Sequence, residues 1–265
     1  MVKSYLITGA NRGIGLGLVK EILQTETNQV FATVRNLDNV ADLKAIESDR
    51  LHIVKCDISS EDSIDECFEQ INKLTKSIDI AILSAALMGG VSEGPMELTD
   101  SRESWNDFKN NAMQFFGVNA LSQIYLANKV IPLIEASNEK KLIFVSTGLA
   151  SLDYTRRAKF AGKIPYSFSK AALSLLDAKY GAQLKHKGVT VLAVCPGMVN
   201  SRNFPQEQVE IIFGPFIEMA QKFNPDFEGV MSSEEACKKF LKAIEFYGVF
   251  HSGQFLSSNG SATDF

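Results

Sequence analysis

The chain has 265 residues, with 27 Lys+Arg against 31 Asp+Glu, a formal charge of −4 and a sequence pI of about 5.5. Hydrophobic residues at 45% and charged residues at 22% are the balance of a globular protein with a sizeable core. The mild acidity argues against a nucleic-acid surface, which calls for a basic excess, and no apolar run approaches the roughly 18 residues of a membrane span.

Residues 5–8 (Tyr5-Leu6-Ile7-Thr8) read as a strand that starts almost at once. That leaves no room for a charged leader and cleavage site, so a cytoplasmic protein is expected. The strand runs into Thr8-Gly9-Ala10-Asn11-Arg12-Gly13-Ile14-Gly15, and a helix is expected over 14–24. Glycines in such a turn let backbone N–H groups approach a pyrophosphate, and the helix N-terminus adds positive partial charge. A plain turn would also use glycines; the placement between strand and helix favours a dinucleotide site.

The second strand, 30–34, ends in Arg35 with no acid beside it. An acid there would accept from the adenosine ribose 2′-OH, whereas Arg12 and Arg35 together can fork onto a 2′-phosphate. NADP(H) is therefore the expected cofactor. A helix over 40–47, a strand over 51–55, and a helix over 60–73 opened by Ser59 with Asp62 three residues on come next.

The fourth strand spans 78–83, and a long helix is expected over 105–135. A fifth strand, 141–145, leads into Ser146-Thr147. The segment from there to Tyr166 carries Arg156, Arg157, Lys159 and Lys163 and reads as a solvated basic loop. On the helix expected over 165–185, Tyr166-Ser167-Phe168-Ser169-Lys170 sets a phenol and an ammonium four residues apart on one face. A neighbouring Lys⁺ favours phenolate and would lower a pKa that is otherwise about 10.

A strand over 189–194 precedes a proline-rich stretch, 196–231, placed where ligands bind in open α/β sheets and read as a substrate lid. A helix over 232–247, opened by Ser232 with Glu235, and a strand over 253–256 complete the order. The ending Ser261-Ala262-Thr263-Asp264-Phe265 matches no lipidation, peroxisomal or retention signal. Alternating βα units predict one α/β domain, 1–265. Its expected form is a doubly wound parallel sheet of about seven strands with helices on both faces. Cys56, Cys67, Cys195 and Cys237 lack CxxC spacing, and His52, His186 and His251 lie far apart, so buried thiols and no metal are expected. No GxSxG elbow points to a hydrolase.

Over nearly the whole chain these residues resemble the short-chain dehydrogenase/reductases, and the Gly253-Gln254-Phe255-Leu256 ending with Asn259-Gly260 is similar to that of small carbonyl reductases. The resemblance implies a cofactor site of Gly9, Asn11, Arg12, Gly13, Ile14, Gly15 and Arg35, with Asp57 and Ile58 at an adenine-contacting turn. It implies further contacts from Ser84, Ala85, Asn119, Tyr166 and Lys170, and from Pro196, Gly197, Val199 and Ser201 in the segment that holds the nicotinamide carboxamide. Tyr166 matches the acid/base, Lys170 its partner, Asn119 the asparagine that anchors a water beside that lysine, and Thr147 the carbonyl-orienting hydroxyl. Ser146 would take that last role if the register slipped by one.

Where the family has Asn-Asn-Ala-Gly after the fourth strand, this chain has Leu83-Ser84-Ala85-Ala86, a departure that bears on local geometry. The activity implied is NADPH-dependent reduction of a small-molecule carbonyl, with a homo-oligomer of two or four chains left open. A non-catalytic NADP(H)-binding regulatory or scaffold protein is the alternative, and fold alone does not decide between them.

Overall fold

A computed structural model of the chain describes residues 2–89, 101–221, 227 and 229–259. The first half runs β1 (Ser4–Thr8), α1 (Gly13–Leu23), β2 (Gln29–Val34), α2 (Ala41–Lys44), β3 (Leu51–Lys55), α3 (Glu61–Leu74) and β4 (Ile80–Leu83). It continues with α4 (Arg102–Phe116), α5 (Ser122–Glu135), β5 (Lys141–Val145), α6 (Leu152–Ala158), α7 (Ile164–Leu184) and β6 (Thr190–Cys195). After a two-residue β7 (Val199–Asn200) come α8 (Gln206–Gln221), β8 (Met231–Ser232), α9 (Ser233–Phe246) and β9 (Gln254–Ser257).

Seven strands form one parallel sheet in the order β3-β2-β1-β4-β5-β6-β9, while β7 and β8 pair separately. Alternation along each strand sends neighbours to opposite faces. Leu6, Phe31, Ala81, Leu142 and Phe144 join Ile64, Ile71, Leu126, Val130, Leu173 and Leu184 in one buried layer, so α3, α5 and α7 cover that face. Ile7, Ala32, Ile82, Ile143 and Val194 join Leu18, Ile22, Phe240 and Ile244 on the other, under α1 and α9. Burial on both faces is why the strands read as nearly unbroken apolar runs. The chain order reverses between β1 and β4, which opens a crevice at their carboxyl ends.

Four expectations need correction. The helix expected over 40–47 shrinks to Ala41–Lys44, and Glu47 turns to φ 45°. The helix expected over 105–135 starts at Arg102 and is broken by a π turn, Gly117–Leu121, in which Asn119 sits and Ser122 Oγ donates to Gly117 O at 3.0 Å. The cap of α3 is Ser60, whose Oγ accepts from Ser63 N–H, because Ser59 is already committed to Asp57 Oδ1 at 2.7 Å. The basic segment before Tyr166 folds as α6, with Ser151 as its cap and Arg157 paired to Asp153 across one turn. Ser232 does cap α9, accepting from Glu235 N–H at 3.1 Å. Part of the stretch expected to form a lid, residues 222–226 and 228, lies outside the described residues.

Candidate active site

The glycine-rich turn at the end of β1 is dictated by contact. Gly9 has φ 68°, and a Cβ there would stand 2.9 Å from Ala85 Cα across the crevice. A Cβ on Gly15 would overlap the Gly9 carbonyl, so α1 can begin this close to β1 only with glycine there. Arg12, the residue before α1, is extended (φ −161°) and its side chain makes no cap, and the first turn carries no acid. The positive end of α1 is therefore left by the chain for an outside anion. These are features that fit a dinucleotide pyrophosphate.

Around this turn the structure brings most of the implied cofactor residues to the carboxyl ends of the strands. Gly13 (φ 58°) lies against Ser201, 3.4 Å from a built Cβ, so the first turn of α1 meets the segment after β6. Gly197 (φ 87°) makes the bend in that segment, its bare face against Met231 Cε. Val199 pairs with Met231, and Asn200 closes the following turn through both amide atoms onto Phe204 N and O at 2.9 Å. Arg12 and Arg35 are both exposed, Arg35 directly after β2. Asp57 follows β3 with its backbone N–H on Ser63 Oγ at 2.9 Å, and Ile58 is buried beside it.

The second cluster gathers where β5 and β6 end. Tyr166 and Lys170 lie on the buried face of α7, 8% and 3% exposed. Burial pushes the Tyr166 phenol well above its usual pKa, and the Cys195 thiol pushes the same way, while a hydrogen bond with the Thr147 side chain pulls it down. Lys170 Nζ donates to Val145 O at 2.8 Å, and burial brings its pKa down to about 8. The expected lowering of the phenol by the lysine is thus not what the geometry gives. Lys170 directs one of its three N–H donors to the end of β5, and the side chain whose hydrogen bond favours the phenolate is Thr147.

Ser146 Oγ is buried without a hydrogen-bond partner, whereas Thr147 Oγ1 also accepts from Leu149 N–H at 3.3 Å and caps a short 3₁₀ turn. The two hydroxyls face different surroundings, as alternation along a strand demands.

Asn119, fully buried, grips the segment after β4. Its Oδ1 accepts from Leu87 N–H at 2.8 Å and its Nδ2 donates to Leu87 O at 2.9 Å and to Ser169 Oγ at 3.1 Å. Ser169 Oγ in turn donates to Tyr166 O at 2.8 Å. The amide is engaged with Leu87 and Ser169. Sequence reasoning passed over Ser169, Gln123 and Cys195. Gln123 Nε2 donates to Ala85 O at 3.0 Å, and Cys195 Sγ accepts from Gly148 N–H at 3.2 Å and Gly197 N–H at 3.4 Å. A buried-looking Gln one helical turn after Asn119 was the available signal for the first. Among the described residues no group of three or more His, Cys, Asp or Glu is placed to hold a metal ion, and no helix is long and apolar enough to cross a membrane.

The profile of the family described as short chain dehydrogenase matches residues 3–210. The chain is 31% identical over 264 residues to the short-chain dehydrogenase/reductase atnB of Arthrinium sp, covering 98% of each. It is 30% identical over 278 residues to the short chain dehydrogenase virK of Hypocrea virens, covering 97% of this chain and 98% of that one. Among solved structures it is similar to the carbonyl reductase Sniffer of D. melanogaster, with TM-score 0.79, 20% identity and 98% of both chains covered. It is also similar to an NADPH-bound carbonyl reductase from chicken fatty liver, with TM-score 0.79, 20% identity and 98% and 93% covered. At that identity the two structures speak for the fold.

Proposed function

The chain belongs to the short-chain dehydrogenase family and is an oxidoreductase, and on that premise we propose that it reduces small carbonyl compounds with NADPH. The observation that carries this reading is the grouping of Tyr166, Thr147 and Lys170 beside the crevice that the glycine turn opens. When bound, the reduced nicotinamide supplies a hydride. Tyr166, kept protonated by burial, is suited to give its proton to the oxygen that gains charge, and Thr147 to donate a hydrogen bond to that oxygen. Lys170 would hold the nicotinamide ribose. Asn119 keeps Leu87 and α7 in place around them.

Arg12 and Arg35 support a preference for the 2′-phosphate, with Asp57 and Ile58 at the adenine end. The solved NADPH-bound carbonyl reductase that the fold resembles adds weight to that preference. The helix α8, whose Phe216 ring lies 5.5 Å from Phe160 ahead of α7, is read as part of a lid over a single-domain enzyme.

The test is the loss of NADPH absorbance against a panel of diketones, quinones and aldehydes. Turnover of at least one class is expected, with NADPH preferred to NADH, and Arg35→Asp should weaken NADPH about tenfold to a hundredfold while sparing NADH. Tighter binding of NADH than NADPH by the unmodified protein would overturn the cofactor, and an inert panel the carbonyl reading.

A further inference from the structure

The segment after β4 is Ser84-Ala85-Ala86-Leu87, nearly devoid of side chains that could brace its own backbone. Its polar groups are met from outside. Ala85 N–H donates to Thr8 Oγ1 at 3.0 Å and Ala85 O accepts from Gln123 Nε2 at 3.0 Å, while both backbone groups of Leu87 bond the Asn119 amide. All three bracing side chains are buried: Thr8 and Asn119 at 0% exposure, Gln123 at 1%. Asn119 and Gln123 are four residues apart, so they reach the segment from one side of the same helical stretch. Gln123 is the member of this clamp that no motif points to.

Ala85 is also the wall of the glycine turn. Gly9 packs so closely on it that a Cβ would sit 2.9 Å from Ala85 Cα, and Gly15 packs in turn on the Gly9 carbonyl. A displacement of Ala85 is therefore passed to Gly9 and from there to the first turn of α1. Close-packed interiors transmit such shifts because they have no slack to absorb them.

We propose that Gln123 is a positioning residue for cofactor binding: by holding Ala85 O it fixes the wall on which the glycine turn is seated. The inference rests on the NADPH reading above for its ligand, and on hydrogen bonds within this chain for its mechanism. Gln123 is not expected to touch cofactor or substrate. Because Asn119 holds Leu87 and Ser169 independently, losing Gln123 should loosen the cofactor end of the crevice more than the end where Tyr166 works.

The experiment is Gln123→Met, which keeps the length and bulk of the side chain and removes the amide. The dissociation constant for NADPH, measured by its fluorescence, should rise about tenfold or more, and KM for NADPH with it, while kcat at saturation should fall by less than about twofold. Backbone hydrogen exchange read without cofactor should show the Ala85 N–H at least about tenfold faster and the Leu87 N–H unaltered. If both the NADPH affinity and the Ala85 exchange match wild type, Gln123 has no positioning role. A freed Ala85 with unchanged affinity would equally overturn the link to the cofactor. General acceleration of all amides, with kcat and affinity falling together, would mean mere structural support and also defeats the proposal. Should Gln123→Met fail to fold, Gln123→Asn, too short by one methylene to reach Ala85 O, is read the same way. Wild-type protein without affinity for NADPH would refute the functional reading instead, and the exchange rates would still decide whether Gln123 holds Ala85.

Discussion

The Thr147 and Ser146 hydroxyls differ by one residue and by everything around them. Thr147 acts on the Tyr166 phenol, while Ser146 Oγ is buried and unpartnered. Thr147→Val should therefore lower kcat about 10²–10³-fold, the range seen when one donor to a developing oxyanion is lost, with Thr147→Ser close to silent. Ser146→Ala should leave kcat near wild type, because it removes a hydroxyl that has nothing to bond. Tyr166→Phe should cost about 10²–10⁴ in rate with NADPH binding kept, as for a lost general acid. Steady-state kinetics on the purified variants checks all four. Asp177, fully buried on α7 without a full hydrogen bond to either oxygen, makes a different prediction. Burial raises its pKa to about 8 against the pull of the Ala193 backbone N–H. A carboxyl raised in the folded state costs nothing below its unfolded pKa of about 4, and the cost grows up to about pH 8. Asp177→Asn should remove that slope, so the variant gains up to about 1.4 kcal/mol per pH unit on wild type across that window. Denaturant titrations at pH 5, 6.5 and 8 test this, and parallel curves for the two proteins would refute it. Neither of these features was legible in the sequence, where Asp177 is one acid among many and the partner of a hydroxyl is not written. What was legible was the type and spacing of residues: glycines before a helix, and a phenol and an amine four apart.

Helices hold their ends by side chains borrowed from distant parts of the chain. Lys141, the first residue of β5, is 7% exposed and its Nζ donates to Ile244 O, Glu245 O and Tyr247 O at 2.7, 3.2 and 3.0 Å, closing the carboxyl end of α9. Arg50 does the same for α1, with its guanidinium on Leu23 O, Thr25 O and Asn28 O. A cation at a helix C-terminus satisfies carbonyls that have no partner within the helix. Lys141→Met should thus destabilise by roughly 3 kcal/mol, since three carbonyls lose a charged donor in a place with little water. Thermal unfolding would show it, and an unchanged midpoint would mean that α9 ends equally well without the lysine. The strands and the long helices were readable because hydrophobic period and strand propensity are local. The π turn at Asn119 and the helices α6 and α8 were not: the π turn is marked only by one side-chain bond, Ser122 on Gly117, α6 is held by its Ser151 cap and the Arg157–Asp153 pair, and α8 packs Phe216 on Phe160.

At the scale of the whole molecule, pieces far apart in the chain meet around α1: Gly13 against Ser201, and Cys237 Sγ donating to Ile14 O at 3.5 Å. A ligand that bridges them should stabilise the fold as a unit. At about a hundred times its dissociation constant NADPH should add about 2.7 kcal/mol, a rise of roughly 5–10 °C in melting temperature for a chain of this size. Gly15→Ala, which drives a methyl into the Gly9 carbonyl, should abolish the shift. A full shift in that variant would place the cofactor elsewhere. The sheet order also has a consequence for synthesis. Because β9 is the last strand among the described residues and pairs with β6, the sheet cannot be completed on that side until Gln254–Ser257 has left the ribosome. Until then β6, apolar and wholly buried in the finished protein, presents an open row of backbone donors and acceptors to any neighbouring chain. A nascent chain stalled short of Gln254 is thus a template for edge-to-edge aggregation, and four residues at the far end of the sequence are its shield.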